Sequence, residues 1–322
     1  MNSSAKLSTV PSSDRESFSA YLQSSERILA LCGAGLSAAS GLPTFRGAGG
    51  IWRSEDATSL ATPEAFNADP VKVWQFYSYR RHMALKAQPN RAHLALAELA
   101  RRKEHFVTLT QNVDGLSPRA NHPPSKLHLL HGSLFDNRCT NFYCDYSKEN
   151  DFTDPIVPAL AIPKKAIEPK PFEIDKTGAR AAESLHQAMV RSEELDISDE
   201  SIPIPKLNVR ELPHCPKCRH GILRPGVVWF GEALPAKTLD AVNRWIDDSD
   251  KIDLIMVIGT SSRVYPAASY VDIARMKGAR VAVINMDRED APQSEFREND
   301  WFFEGDAGEI VPDILKSVVG DI

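Results

Sequence analysis

The chain has 322 residues, 42% of them hydrophobic and 25% charged, values near the average for soluble globular proteins that exclude a fibrous or globally disordered chain. Its length suits about two domains, or one large α/β domain carrying an inserted lobe. Lys and Arg number 38 against 43 Asp and Glu, a net charge of −5, so no sequence-independent electrostatic grip on nucleic acid is expected.

From the amino terminus, residues 1–17 are Ser-rich and lack an apolar h-region, which argues against a secretory signal and for a reducing compartment. Only Lys6 and Arg15 are basic there, against Asp14 and Glu16, which is poor transit-peptide chemistry. A helical pattern over 14–23 leads into the apolar run 28–32, which stops at a glycine-rich turn and reads as a first strand. Similar runs at 106–110, 254–259 and 281–285 end in small or amide residues, with helical stretches such as 92–102 and 237–247 between them. This alternation predicts buried parallel strands with helical crossovers, where ligands bind beyond the carboxyl ends of the strands. No apolar run approaches the roughly 20 residues that cross a bilayer, so no membrane association is expected.

Two segments break the alternation and read as insertions: one over 44–90, helical without an obvious strand, and one over 139–226, which holds most of the cysteines. Within the second, residues 161–210 are rich in Lys, Glu, Pro and Ser and poor in aromatics. That composition predicts a solvated, partly disordered excursion with no role at the active site.

Cys32 stands alone, whereas Cys139 and Cys144 form a C-x4-C pair and Cys215 and Cys218 a C-x2-C pair. Two such pairs suit one tetrahedral Zn(II), each short loop presenting two thiolates about 2.3 Å from the ion. With four cysteine ligands no position stays open for water, so the metal is expected to be structural. The basic neighbours Lys217 and Arg219 are expected to offset the charge of the thiolates.

The first strand runs into residues 33–50, where six glycines let backbone N–H groups approach a phosphate, and a dinucleotide is the natural guest. The spacing Gly33, Gly35, Gly41 departs from the hydride-transfer fingerprint G-x-G-x-x-G. Thr44, Phe45 and Arg46 would form a loop over the ligand. After the second strand, TQNVDGL (110–116) offers amides for a carboxamide and Asp114 for a ribose or leaving amide. His131 in LLHGSL is either a general base or a packed core residue. GTSS (259–262) and NMD (285–287) can hydrogen-bond ribose hydroxyls or phosphate.

In this order GAGxSxxSGxPxFR, TQNxD, HG, two cysteine pairs, GTS and a strand-end Asn resemble the sirtuin family over roughly residues 25–318. The resemblance implies an α/β fold, a Rossmann-like doubly wound parallel sheet with a smaller helical plus zinc-binding lobe. It divides the chain into an extension and first helix (1–24) and a catalytic domain (25–318). The core of that domain is 25–43, 91–136 and 227–318, and the lobe comes from 44–90 and 137–226.

The implied activity is NAD-dependent removal of acyl groups from protein lysines, with NAD consumed, nicotinamide released and 2′-O-acyl-ADP-ribose formed. NAD would meet Gly33, Ala34, Gly35, Ser37, Thr44, Phe45, Arg46, Trp52, Gln111, Asn112, Asp114, Gly259, Thr260, Ser261, Asn285, Met286, Asp287 and Ala307, with His131 as base. In WQFYSYRR, Tyr77 and Arg80 stand three apart, and with Ala61 in LATPEAF they resemble the class III deacylases that remove succinyl, malonyl and glutaryl groups. Arg81 is the alternative binder on the same helix. VVWFGE (227–232) resembles the segment that pairs with a substrate peptide as an added strand, through Val228, Phe230 and Gly231. The expected partners are acyl-lysine proteins, and the resemblance implies an intracellular, mitochondrial location, with cytosol and nucleus as alternatives. A general deacetylase or decrotonylase, a protein mono-ADP-ribosyltransferase and a catalytically silent acyl-lysine reader are the competing readings.

Overall fold

The computed structural model describes residues 10–44, 50–166, 192–261, 264–290 and 296–322. In chain order it runs through α1 (Arg15–Ser24), β1 (Arg27–Cys32) and the single turn α2 (Gly35–Ala38). The first insertion holds the hairpin β2 (Ile51–Trp52) and β3 (Glu55–Asp56), then α3 (Ala57–Leu60), α4 (Pro63–Ala68) and the long α5 (Pro70–Lys86). Next come α6 (Arg91–Arg102), β4 (His105–Thr110), α7 (Leu116–Arg119) and β5 (Leu127–Leu129). The second insertion contributes β6 (Gly132–Cys139), β7 (Ser147–Lys148), β8 (Lys164–Ala166), β9 (Ser192–Glu194) and β10 (Leu223–Val227). The chain closes with α8 (Ala236–Asp247), β11 (Leu254–Ile258), α9 (Ser269–Met276), β12 (Arg280–Asn285), β13 (Trp301–Glu304) and α10 (Ala307–Val319). Among the described residues no helix is long and apolar enough to cross a membrane.

Six strands form one sheet in the order β13-β12-β11-β1-β4-β5, every pair parallel. Numbered along the chain, this is 6-5-4-1-2-3, the order of dinucleotide-binding sheets, and the chain reverses direction across the sheet between β1 and β11. Alternation along β1 feeds two cores. Ile28, Ala30 and Cys32 pack with α1, α6 and α10, while Leu29 and Leu31 pack with α8 and α9. Burial on both faces explains why these strands read as unbroken apolar runs.

Both insertions share a third core, in which Trp52, Phe66, Trp74, Phe76 and Tyr77 meet Leu134, Phe135, Leu223, Val227 and Trp229. Helix α5 is its centre. Asp69 caps its first turn by accepting from Lys72 N, and Pro70 supplies a preset first-turn φ. The helix buries residues on several sides, so its polar side chains need partners: Trp74 Nε1 donates to Leu223 O at 2.8 Å. Arg81 donates to the carbonyls of Leu134, Asp151 and Thr153.

The described flanks of segment 161–210 are mostly exposed or half-buried, in line with the expected solvated excursion, and they are anchored to the lobe. β8 and β9 pair antiparallel, and His82 of α5 sits between Asp154 and Glu194, its ring nitrogens 2.7 and 2.9 Å from their carboxylate oxygens. Arg53 donates to the carbonyls of Ile197, Asp199, Glu200 and Ile202. Charge and captured backbone carbonyls hold this belt where apolar side chains are scarce. Residues 167–191 lie outside the described residues.

Candidate active site

The carboxyl ends of β1, β4, β11 and β12 open into a cavity of about 630 Å³ between the sheet and the inserted lobe. Its floor is a contact between two strand ends. A Cβ on Gly33 would lie 2.6 Å from Thr260 Cβ, and one on Gly259, whose φ is +59, would lie 2.4 Å from Leu36 N. Only glycine at both positions lets β1 and β11 close this floor, which leaves backbone for a phosphate to approach.

Gly33, Ala34, Gly35, Ser37 and Thr44 line the cavity from the first turn, Gly259, Thr260 and Ser261 from the end of β11, and Asn285, Met286 and Ala307 beyond them. Gln111, Asn112, Asp114 and His131 line it from the β4 side. Two residues expected here do not reach it. Trp52 is buried in the lobe with its ring centroid 5.6 Å from that of Phe76, because the β2–β3 hairpin turns its side chain inward. Asp287 accepts from Glu289 N at 2.8 Å, capping the turn after β12 on the surface. Phe45 and Arg46 lie outside the described residues.

Polar groups beyond β1 and β4 hold one another in place. Ser37 Oγ donates to Asp114 Oδ2 at 2.7 Å, Asp114 Oδ1 accepts from Leu116 N at 2.9 Å, and Asn112 Nδ2 donates to Gly33 O at 3.0 Å. Behind them stands His93, a buried residue absent from the sequence expectations, with Nε2 3.4 Å from Ser37 Oγ. Burial pushes its pKa down to about 4 against the opposing pull of Asp114, so it stands neutral. Its sequence signal is the helix start PN-RAH, where Asn90 and His93 form the capping box of α6.

His131 follows β5. Its Nδ1 is 3.0 Å from Gln111 O, and a carbonyl only accepts, so Nδ1 carries the hydrogen and Nε2 keeps its lone pair. Burial lowers the His131 pKa from its ordinary 6.5, with the Gln111 contact opposing. The neutral, proton-accepting form therefore persists to lower pH than in a free imidazole. If His131 is the base, the acid limb of kcat/KM against pH falls below 6.5. A limb above 7, on the order of a half-unit or more too high, would contradict this.

The opposite wall belongs to the lobe. Ala61, Tyr77 and Arg80 line it together with Val228, Phe230 and Gly231. Val228 N donates to His131 O at 2.8 Å and Phe230 N to Ala61 O at 2.9 Å, so this segment is tied to both His131 and the lobe. Arg80 lines the cavity, and Arg81, which is not among the lining residues, donates to backbone carbonyls. Trp229, passed over between Val228 and Phe230, also lines the cavity.

Outside the cavity, Cys139 Sγ lies 3.7 Å from Cys218 Sγ and Cys144 Sγ 3.6 Å from Cys215 Sγ, with all four sulfurs within 4.8 Å of one another. Four thiolates about 2.3 Å from one ion stand about 3.8 Å apart, whereas a disulfide needs about 2.05 Å, so the set fits tetrahedral zinc. Lys217 pairs with Asp145, which raises its pKa, and Cys144 and Cys215 pull it the same way, in line with the charge-offsetting role expected of it; Arg219 is exposed. The sulfurs also accept backbone N–H groups, Cys139 from Asn141 and Cys218 from Gly221, each at 3.3 Å.

A doubly wound sheet, a glycine floor at its switch point and a thiolate-knuckled lobe closing over it define a two-lobed, dinucleotide-binding α/β protein. Residues 33–266 match the Sir2 family. An NAD-dependent protein deacylase of Candida albicans is 44% identical over 307 residues, covering 95% of this chain and 98% of the relative. The mitochondrial NAD-dependent protein deacylase sirtuin-5 of Xenopus tropicalis is 40% identical over 308 residues, covering 94% of this chain and 85% of the relative. The crystal structure of a Sir2 homolog–NAD complex aligns with a TM-score of 0.69 at 34% identity, covering 96% of this chain and 95% of that one. The chain belongs to the Sir2 family.

Proposed function

We propose that the chain is an NAD-dependent protein-lysine deacylase that prefers acyl groups ending in a carboxylate, such as succinyl, malonyl and glutaryl. One observation carries the acyl preference: Tyr77 and Arg80, one turn apart on α5, both line the cavity beside the small Ala61. A guanidinium can grip a carboxylate through two parallel N–H bonds, and charge-assisted bonds of this kind are roughly twice as strong as neutral ones. Burial pushes the Tyr77 pKa up to about 12, so at neutral pH the phenol keeps a proton to donate. A plain acetyl group would leave the guanidinium without its carboxylate partner in a confined pocket.

The bound NAD supplies an anomeric carbon from which nicotinamide is expelled, and it is consumed. Gly33, Gly35 and Gly259 would seat its phosphates, and Asn112, Ser37 and Asp114 are held by one another to face its ribose and carboxamide. His131 would take the ribose proton at Nε2 and pass it on, its ring aimed by the bond from Nδ1 to Gln111 O. Val228 and Phe230 would lay the substrate peptide alongside. Acyl-lysine proteins are the proposed partners, and a mitochondrial location is supported by the mitochondrial sirtuin-5 relative.

The test is a panel of acyl-lysine peptides with NAD, analysed by mass, which also separates deacylation from ADP-ribosyl transfer. Succinyl-lysine is expected to be turned over with higher kcat/KM than acetyl-lysine. Arg80→Met should lower the succinyl value about tenfold to a hundredfold, with a smaller effect on acetyl. A wild type that favours acetyl, or equal losses on both substrates, replaces this reading with a general deacylase.

A further inference from the structure

We propose that Trp229 is a specificity-determining positioning residue, whose indole N–H fixes the direction in which Tyr77 offers its hydroxyl proton to the acyl group. The inference rests on the acidic-acyl reading above. Trp229 Nε1 stands 2.9 Å from Tyr77 Oη, and the two residues are 2% and 3% exposed. An indole nitrogen only donates, so the tyrosine oxygen is the acceptor in this bond. With one lone pair occupied, the phenol proton cannot lie along the line of the incoming donor and must point elsewhere. Both residues stand on the cavity wall with Arg80. On this inference the direction left to the proton is the one toward a carboxylate held by Arg80. Without the indole donor, the same hydroxyl is free to present its lone pairs to that carboxylate, which is repulsive.

The surroundings of Trp229 fit this role, because a donor that sets another group's orientation must itself be immobile. The Arg224 guanidinium carbon lies 3.3 Å from the centroid of a Trp229 ring, and its two terminal nitrogens donate to the two oxygens of Glu232 at 2.6 and 2.8 Å. Glu232 Oε2 in turn accepts from Trp229 N at 2.8 Å. Phe66 packs on the ring from the lobe at 5.2 Å between centroids. The indole is thus held through its face and its own backbone, while its N–H goes to Tyr77. Phenylalanine at this position would keep one aromatic ring and lose the donor together with the volume of the second ring, and the Tyr77→Phe background separates the two losses.

The experiment compares kcat/KM on succinyl-lysine and acetyl-lysine peptides for wild type, Trp229→Phe, Tyr77→Phe and the double variant. In Trp229→Phe the succinyl-to-acetyl ratio is expected to fall about fivefold to tenfold, the scale of one typical net hydrogen bond. On the Tyr77→Phe background the same substitution should leave the ratio unchanged, because its effect passes through the missing hydroxyl. A wild type without succinyl preference defeats the acidic-acyl reading itself. A wild type with that preference, retained in Trp229→Phe or lost equally on the Tyr77→Phe background, overturns only the role given to Trp229. An NMR measurement that needs no tryptophan variant is independent of how Trp229→Phe folds: the Trp229 indole N–H signal should move and exchange faster in Tyr77→Phe than in wild type. An unmoved signal also overturns the inference.

Discussion

His131→Tyr is expected to abolish deacylation while the protein stays folded. Base catalysis by a positioned imidazole contributes about 10² to 10⁴ in rate, and the larger ring also obstructs the cavity that His131 lines. The fold survives because the bond that ties this position to residues 228–231, Val228 N to His131 O, is made by backbone. The side chain contributes only its contact with Gln111 O. Turnover of an acyl-lysine peptide, read beside a thermal melt, is the measurement. Wild-type turnover in the variant would return His131 to the role of a packed residue.

The second large effect is structural. Cys215→Ser removes one of four thiolates that stand at zinc spacing, and apparent binding free energies of about 10 to 16 kcal/mol make such a metal part of the folding free energy. Cys215 is buried and belongs to the lobe's hydrophobic cluster. Loss of the ion would therefore loosen the turn that leads into β10 and the cavity-lining residues 228–231 after it. The expected outcome is a protein that purifies without stoichiometric zinc and melts at lower temperature, with the lobe exposing apolar surface. A metal-free preparation that remains fully folded and active would show that the four cysteines serve another purpose.

The central sheet was legible because buried parallel strands are apolar throughout and stop at polar or glycine residues. The runs at 28–32, 106–110, 254–259 and 281–285 correspond to β1, β4, β11 and β12 within a residue at each end. The edge strands were not, since β5 is three residues long and β13 four, too short to carry a period. The belt around 192–204 left no local trace because its anchors, Arg53 and His82, lie more than a hundred residues away in sequence. Most cavity-lining residues were legible from glycine and amide motifs at strand ends. Trp52 was misplaced because closeness to the glycine loop does not say which way a hairpin turns a side chain. Asp287 was misplaced because the chain bends into a turn just after Asn285. Trp229 was overlooked because its role depends on a partner 152 residues earlier in the chain.

Among the described residues, three hydrophobic clusters divide the enzyme along a line that the chain itself does not follow. Two of them belong to the sheet and its helices, while the third holds Ala61, Tyr77 and Trp229 in the same packed mass as Cys215. The groups proposed to act on NAD and the groups proposed to choose the acyl chain thus rest on separate foundations. Side chains around the lobe's aromatic centre can be exchanged, and a different group cleared from lysine, without disturbing the glycine floor on which the common chemistry stands. Such a partition gives a lineage of these proteins a way to diversify what is removed while inheriting unchanged how it is removed.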